Sequence, residues 1–162
     1  MTIVDQINFI VSTIEPWAAS ELNGKVARVP NMDACWRALS NREGAARVFV
    51  MVDGEEPRVN FPGGEVTAMV ERGFSVVISK GRGLKEDRGA GLTEGVGGSD
   101  PFLALLDALV DMIRSMVLGE EKTIYYRGFD HFGKEFGVIS DAYRIRFAVG
   151  TLRPMFNQFG SY

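Results

Sequence analysis

One cysteine and one histidine in 162 residues leave little of the usual equipment of catalysis. Cys35 has no partner for an internal disulfide, so the thiol framework that staples small secreted domains is excluded, and a reducing cytoplasm is the expected place of synthesis and assembly. His131, standing alone, excludes a histidine pair and any zinc site that needs one. No run approaches 18 uninterrupted apolar residues, so no segment reads as a membrane-spanning helix. The opening stretch MTIVDQINFIVSTIEPW lacks a basic start and carries Asp5 and Glu15 through its apolar part, which excludes a signal peptide. Charge of one sign is also missing: the formal net charge is −3, giving no global pull toward nucleic acid or an anionic membrane.

The bulk of the composition is ordinary for a globular chain: 46% hydrophobic and 24% charged residues. A chain of this size buries roughly 70% of its unfolded surface, enough for one core without metal or disulfide support. A single domain over 1–162 is expected, with 81–99 as a flexible loop and 151–162 as a C-terminal tail.

The stretch RGFDHFGKEFG, Arg127 to Gly137, matches most of the G-x-x-x-x-G-K-[ST] loop that cradles nucleotide phosphates. The last position is Glu135, where magnesium needs a hydroxyl, and a carboxylate there would face bound phosphate. The residues from Phe136 to Ser140 lead into a period-2 segment, whereas the phosphate loop must open a helix. DHFGKEFGVIS, Asp130 to Ser140, is therefore read as the connection between two antiparallel strands, its glycines serving turns.

Ile3, Ile7, Ile10, Val11 and Ile14 recur at spacings of three and four, and Thr2 with Asp5 forms a capping-box pattern. This predicts an amphipathic first helix, closed at Pro16 because a proline pushes the preceding residue out of the helical region. Met32, Cys35, Trp36 and Leu39 predict a short second helix capped by Asn31, with Cys35 facing the core. Ala46–Val52 reads as a strand, and Asp53-Gly54 as the turn of a hairpin leading into PRVNF. EVTAMVERGFSVVISKG reads as a long strand or a bent pair, with Gly73 marking a bulge or kink.

Pro101 opens a helix with Asp100 as its cap; FLALLDALVDMIRSMVL is apolar all round except at Asp107, Asp111, Arg114 and Ser115, which predicts burial with one wet stripe. Thr123–Phe129 and Asp141–Gly150 read as two strands, the second with Tyr143, Ile145, Phe147 and Val149 on one face and Arg144, Arg146 and Ala148 on the other. The fold class is α+β: a mainly antiparallel sheet of about four to six strands, packed against two main helices, with one long glycine-rich loop.

That loop, GRGLKEDRGAGLTEGVGGS, holds seven glycines and almost no large apolar group, so it forms no packed element by itself. Structureless loops of this length are either functional or disordered until a partner orders them, which makes Arg82, Lys85, Glu86, Asp87 and Arg88 candidate interaction residues. Arg144 and Arg146 on the last strand, and Phe156 and Phe159 in the aromatic tail, are further candidates.

No catalytic set is assembled from these pieces. His131 is expected to be a solvated loop residue, and Cys35 a small buried hydrophobe. Asp107 and Asp111 share a helix face, but a di-metal bundle site needs Glu-x-x-His pairs on several helices. Gly81-x-Gly83 lacks the third glycine of a dinucleotide loop. Arg127, Arg144 and Arg146 form a basic stripe of the kind that follows a phosphate backbone, yet six basic groups between residues 120 and 162 meet five acidic ones, and interstrand ion pairs explain the stripe as well. No catalytic residue, cofactor or metal is assigned, and the chain is read as no enzyme.

The order of elements resembles the tail terminator proteins of long-tailed bacteriophages. The residues that carry the resemblance are the Ile3 to Ile14 helix, ARVFVMV, GFSVVISKG, the helix opening at Asp100-Pro101, and YYRGFD with DAYRIRFAVG after it. The resemblance implies a virion structural protein, assembled in the host cytoplasm. It implies a homo-oligomeric ring, expected as a hexamer, that caps the head-proximal end of the tail tube and stops tube polymerisation. The implied partners are the tail tube protein and the head-tail connector, with DNA only passing through the lumen and no membrane. Related neck rings fit the same texture. From another class, a small ligand-binding domain or enzyme with the glycine loop as a lid over His131 or Asp130 remains the alternative, and a nucleic-acid binder a third.

Overall fold

The structure, a computed structural model, describes residues 2–40, 46–57, 67–79, 101–118, 123–132 and 142–154. Its elements in chain order are α1 (Ile3–Leu22), β1 (Lys25–Arg28), α2 (Met32–Ser40), β2 (Ala46–Pro57), β3 (Thr67–Ser79), α3 (Pro101–Ser115), β4 (Ile124–Phe132) and β5 (Ala142–Pro154). The fold is α+β, with a five-stranded mixed sheet in the order β1-β2-β3-β5-β4. β1 and β2 run parallel; the other three neighbouring pairs are antiparallel.

α1 begins as expected: the Asp5 amide donates to Thr2 Oγ1 at 3.1 Å, and the Thr2 amide donates back to Asp5 Oδ2 at 3.2 Å. The helix does not stop at Pro16. It runs on to Leu22 and ends where Asn23 adopts a left-handed conformation at φ 49°. A proline inside a helix costs about 3 kcal/mol through the lost hydrogen bond and the ring clash. Beyond it, however, Ala18 is fully buried and Trp17 and Leu22 pack on the core. Burying large apolar side chains is worth about 1.5–3 kcal/mol each, which outweighs the proline.

The β1-α2-β2 unit was only half visible in the sequence. α2 is capped as expected, with the Ala34 amide donating to Asn31 Oδ1 at 2.8 Å. β1 is too short and too mixed in character, KVAR, to announce itself, and α2 is the crossover that a parallel pair requires.

The expected hairpin turn at Asp53-Gly54 is absent: β2 runs straight through it. The register passes from Val52 opposite Phe74 to Gly54 opposite Gly73, so Asp53 is the extra residue of a bulge. Gly54, at φ 154°, supplies the backbone freedom that an Asp-Gly turn also exploits. PRVNF beyond Pro57 lies outside the described residues. β3 is one continuous strand, and Gly73 stands opposite the bulge, whose extra residue belongs to β2.

One face of the sheet carries the main core. Val48, Val50, Phe74, Val76, Ile78, Ile145, Phe147 and Val149 meet Ile10, Val11 and Ile14 of α1 and Leu106, Leu109 and Ile113 of α3. The alternation expected for β5 holds, with Tyr143, Ile145, Phe147 and Val149 on this side. α2 covers part of the other face, where Cys35 and Leu39 pack on Phe49, Met51, Val77 and Ala142. The run Val76-Val77-Ile78 is apolar throughout because both faces are covered there. α3 is less enclosed than expected: beside Asp107, Asp111, Arg114 and Ser115, its Leu103, Ala104 and Ala108 are also exposed.

Candidate interaction surface

Among the described residues α2 covers one end of its face of the sheet, and charged and hydroxyl side chains gather on the rest. Strand alternation sets Asp53, Ser75, Arg144, Arg146, Asp130, Arg127 and Glu71 on this part, with Ser75 buried beneath the charged side chains. Ion pairs join them across the strands. Arg144 donates through Nη2 to Asp53 Oδ1 at 2.9 Å and through Nε to Ser75 Oγ at 2.8 Å, while Ser75 donates to Asp53 Oδ2 at 2.6 Å. Arg127 pairs with Glu71 at 2.7 Å, and Arg146 stands 3.7 Å from Asp130.

The arginine stripe is therefore matched, cation by cation, with carboxylates on β2, β3 and β4. Such pairs add about 0–1 kcal/mol each where they are exposed. Their arrangement keeps the face charged in detail and close to neutral in sum, which disfavours a phosphate backbone. Arg144 is half-buried and tied down by its bonds to Asp53 and Ser75, whereas Arg146 is exposed and loosely held. Of the two strand arginines singled out by the sequence, Arg146 is the one free to turn toward a partner.

The opposite face holds a polar network that the sequence reading missed. Arg72 is 3% exposed, on the core side of β3. It donates through Nε and Nη2 to Glu55 Oε1 at 3.0 and 2.7 Å, and through Nη1 to Gln6 Oε1 at 2.6 Å. Gln6 Nε2 in turn donates to Thr151 Oγ1 at 3.0 Å. The network ties the first turns of α1 to the far ends of β2, β3 and β5. The signal was available: Arg72 shares the period-2 parity of Phe74 and Val76, so a charge on the core side demanded a partner.

His131 is a strand residue, where a solvated loop position was expected. It lies in β4, opposite Tyr143, half-buried, with its ring 5.6 Å from the tyrosine ring at 68°. Among the described residues its buried Nε2 has no hydrogen-bond partner. Asp130 is the neighbouring strand residue, so the two side chains leave on opposite faces of the sheet. A pocket in which that carboxylate orients that imidazole is geometrically closed off. β4 extends to Phe132 because the period-2 pattern resumes after a bulge at Arg127-Gly128, where Gly128 takes φ 96°. The first glycine of the apparent phosphate loop is thus a bulge glycine within a strand.

Cys35 is fully buried, and desolvation pushes its thiol up to about 12 despite the opposing field of Arg144. A thiol held neutral in this way is no nucleophile. Tyr126, on β4, has its hydroxyl raised by burial and by the charge of Asp107, against Arg114. Among the described residues no group of three or more His, Cys, Asp or Glu gathers as a metal site. No described helix is long and apolar enough to cross a membrane. Arg82, Lys85, Glu86, Asp87, Arg88, Phe156 and Phe159 lie outside the described residues. The chain matches no protein-family model and no curated protein.

Proposed function

We propose that the chain is a structural protein of a phage virion, a tail terminator whose copies join head to tail into a ring on the tail tube and meet the head connector. The observation that carries the reading is the order of elements: an N-terminal helix, a strand-rich sheet, a helix, and a closing antiparallel pair, β4 and β5, that completes the sheet. This is the order the resemblance implies, with the β1-α2 unit as an addition. Supporting it is the chemistry of the polar part of the sheet, whose arginines are each matched by a carboxylate, which suits recognition of a folded surface better than binding of a flexible polyanion. Copies of one chain joined by a non-self-complementary contact close into a ring when the rotation per contact divides the circle.

Size-exclusion chromatography with light scattering, run alone and with purified tail tubes, tests the reading. The expected result is a ring of subunits whose mass co-elutes with tubes, and negative-stain images with a cap at one tube end only. A chain that stays monomeric and binds no tube at any salt concentration overturns it. Another ring of the neck differs in the end it binds, so connector-loaded heads in place of tubes separate the two.

A further inference from the structure

We propose that the subunit contact is a continuation of the sheet, in which β4 of one copy pairs antiparallel with β1 of the next. The inference rests on the ring reading above and names its interface.

β1 and β4 are the two outer strands of the five-stranded sheet, and neither has a second strand beside it among the described residues. Outer strands present unpaired N–H and C=O groups that accept another chain. The pairings around the sheet fix the strand directions. β1 and β2 run one way, β3 the other, β5 with β1, and β4 against it. A second copy placed in the same orientation therefore brings its β1 antiparallel to β4, with the helical layers of both copies on the same side. Such a contact is heterologous, as a ring requires, and uses two different edges.

At Lys25 and Val26 the side chains agree with one register, and the bulge at Arg127-Gly128 breaks it before Arg28. Val26 faces the main core side of β1, and Phe129 occupies the same side of β4, where it is 44% exposed. Setting Val26 opposite Phe129 puts Lys25 opposite Asp130, both exposed and both on the other face. The opposite charges meet, and the apolar pair covers an aromatic ring that the lone subunit leaves wet. Above the strands, Asn8 of α1 accepts from Arg28 of β1 at 2.8 Å, which places that side of the helix, including exposed Val4 one turn earlier, over the β1 edge. On the far edge, Asp107 of α3 acts on Tyr126 of β4, and exposed Leu103 lies one turn before Asp107. Joining the edges brings Val4 and Val26 of one copy toward Leu103, Tyr126 and Phe129 of the next. β1 has four residues, so the ladder is short, and pairing depends on these flanking contacts.

The test is a cysteine pair, Lys25→Cys with Asp130→Cys, treated with a bis-maleimide that spans about 8 Å. Within one subunit the two positions lie four strand spacings apart, about 19 Å, beyond its reach. Native Cys35 is buried and leaves the reagent to the introduced thiols. The expected result is a ladder of covalent oligomers from the double variant and none from either single variant. Charge reversal gives a second readout: Lys25→Glu and Asp130→Lys each raise the concentration for half-assembly about tenfold, and combining both reversals in one chain recovers it, because every contact then pairs unlike charges. If the unmodified protein scatters as a ring but gives no ladder and no recovery, the sheet contact is wrong and the ring survives. A covalent dimer from Asp130→Cys alone shows self-pairing of β4 and overturns the proposal. A protein monomeric throughout, with and without tail tubes, overturns both the contact and the ring.

Discussion

At the scale of single residues, the largest energies sit where charge or polarity is buried. Arg72 offers three donors to Glu55 and Gln6 from a site 3% exposed, so its removal takes three hydrogen bonds from a carboxylate and a buried amide. Arg72→Ala is expected to lower unfolding free energy by about 3–5 kcal/mol in urea denaturation. Replacing the network together, Arg72→Met with Glu55→Leu, Gln6→Leu and Thr151→Val, removes its donors and acceptors in one step and costs less, because the penalty comes from orphaned groups. Cys35 gives a pH signature. Its thiol ionises near 9 in the unfolded chain and near 12 in the fold, so the folded state holds its proton longer. The contribution is fully present below pH 9 and drains away as pH rises toward 12. The urea midpoint should therefore fall more steeply between pH 9 and 11 for the native chain than for Cys35→Ala. A flat comparison would mean that the thiol is wetter than its packing against Phe49 and Met51 allows.

At the scale of elements, the two largest departures from sequence expectation are places where packing overrides a local rule. Pro16 signals a helix end, and by local energetics it is one. The continuation is decided by Ala18, Trp17 and Leu22, whose burial no window around Pro16 reveals. Pro16→Ala should accordingly raise stability by about 1–2 kcal/mol, the lost clash and the regained hydrogen bond outweighing the looser unfolded chain. A midpoint that falls on this substitution would show that the proline's shape is itself packed. Asp53-Gly54 signals a turn for an equally good reason, since glycine permits backbone that other residues resist; a bulge uses the same freedom. Gly128, at φ 96° within β4, obeys that logic, so Gly128→Val should cost about 1–3 kcal/mol although a Cβ there meets no neighbour within 4 Å. Loss of stability despite open space would locate the cost in the backbone.

At the scale of the whole molecule, period-2 alternation made the sheet legible, and α1, α2, α3, β3 and β5 follow from apolar spacing and caps. β1 was not legible, because four residues carry too little pattern and its existence depends on β2 lying beside it. The polar sheet face was half legible: alternation placed Arg144 and Arg146, but their partners Asp53, Ser75 and Asp130 come from strands elsewhere along the chain. That long-range pairing has a measurable consequence. Trp17 packs in the core under α1 and α3, while Trp36 packs in the separate cluster under α2. The two clusters share β2 and β3, with Val50 and Val76 on one side and Phe49, Met51 and Val77 on the other. Neither face can be stripped without exposing the strands that hold the other. The single-tryptophan variants Trp17→Phe and Trp36→Phe should therefore report the same denaturant dependence for both faces, once each curve is referred to its own variant's circular dichroism. Were Trp36 fluorescence to change well before the dichroism of the same variant, α2 would be a separately melting cover, and the sheet face beneath it would open at a cost below that of global unfolding.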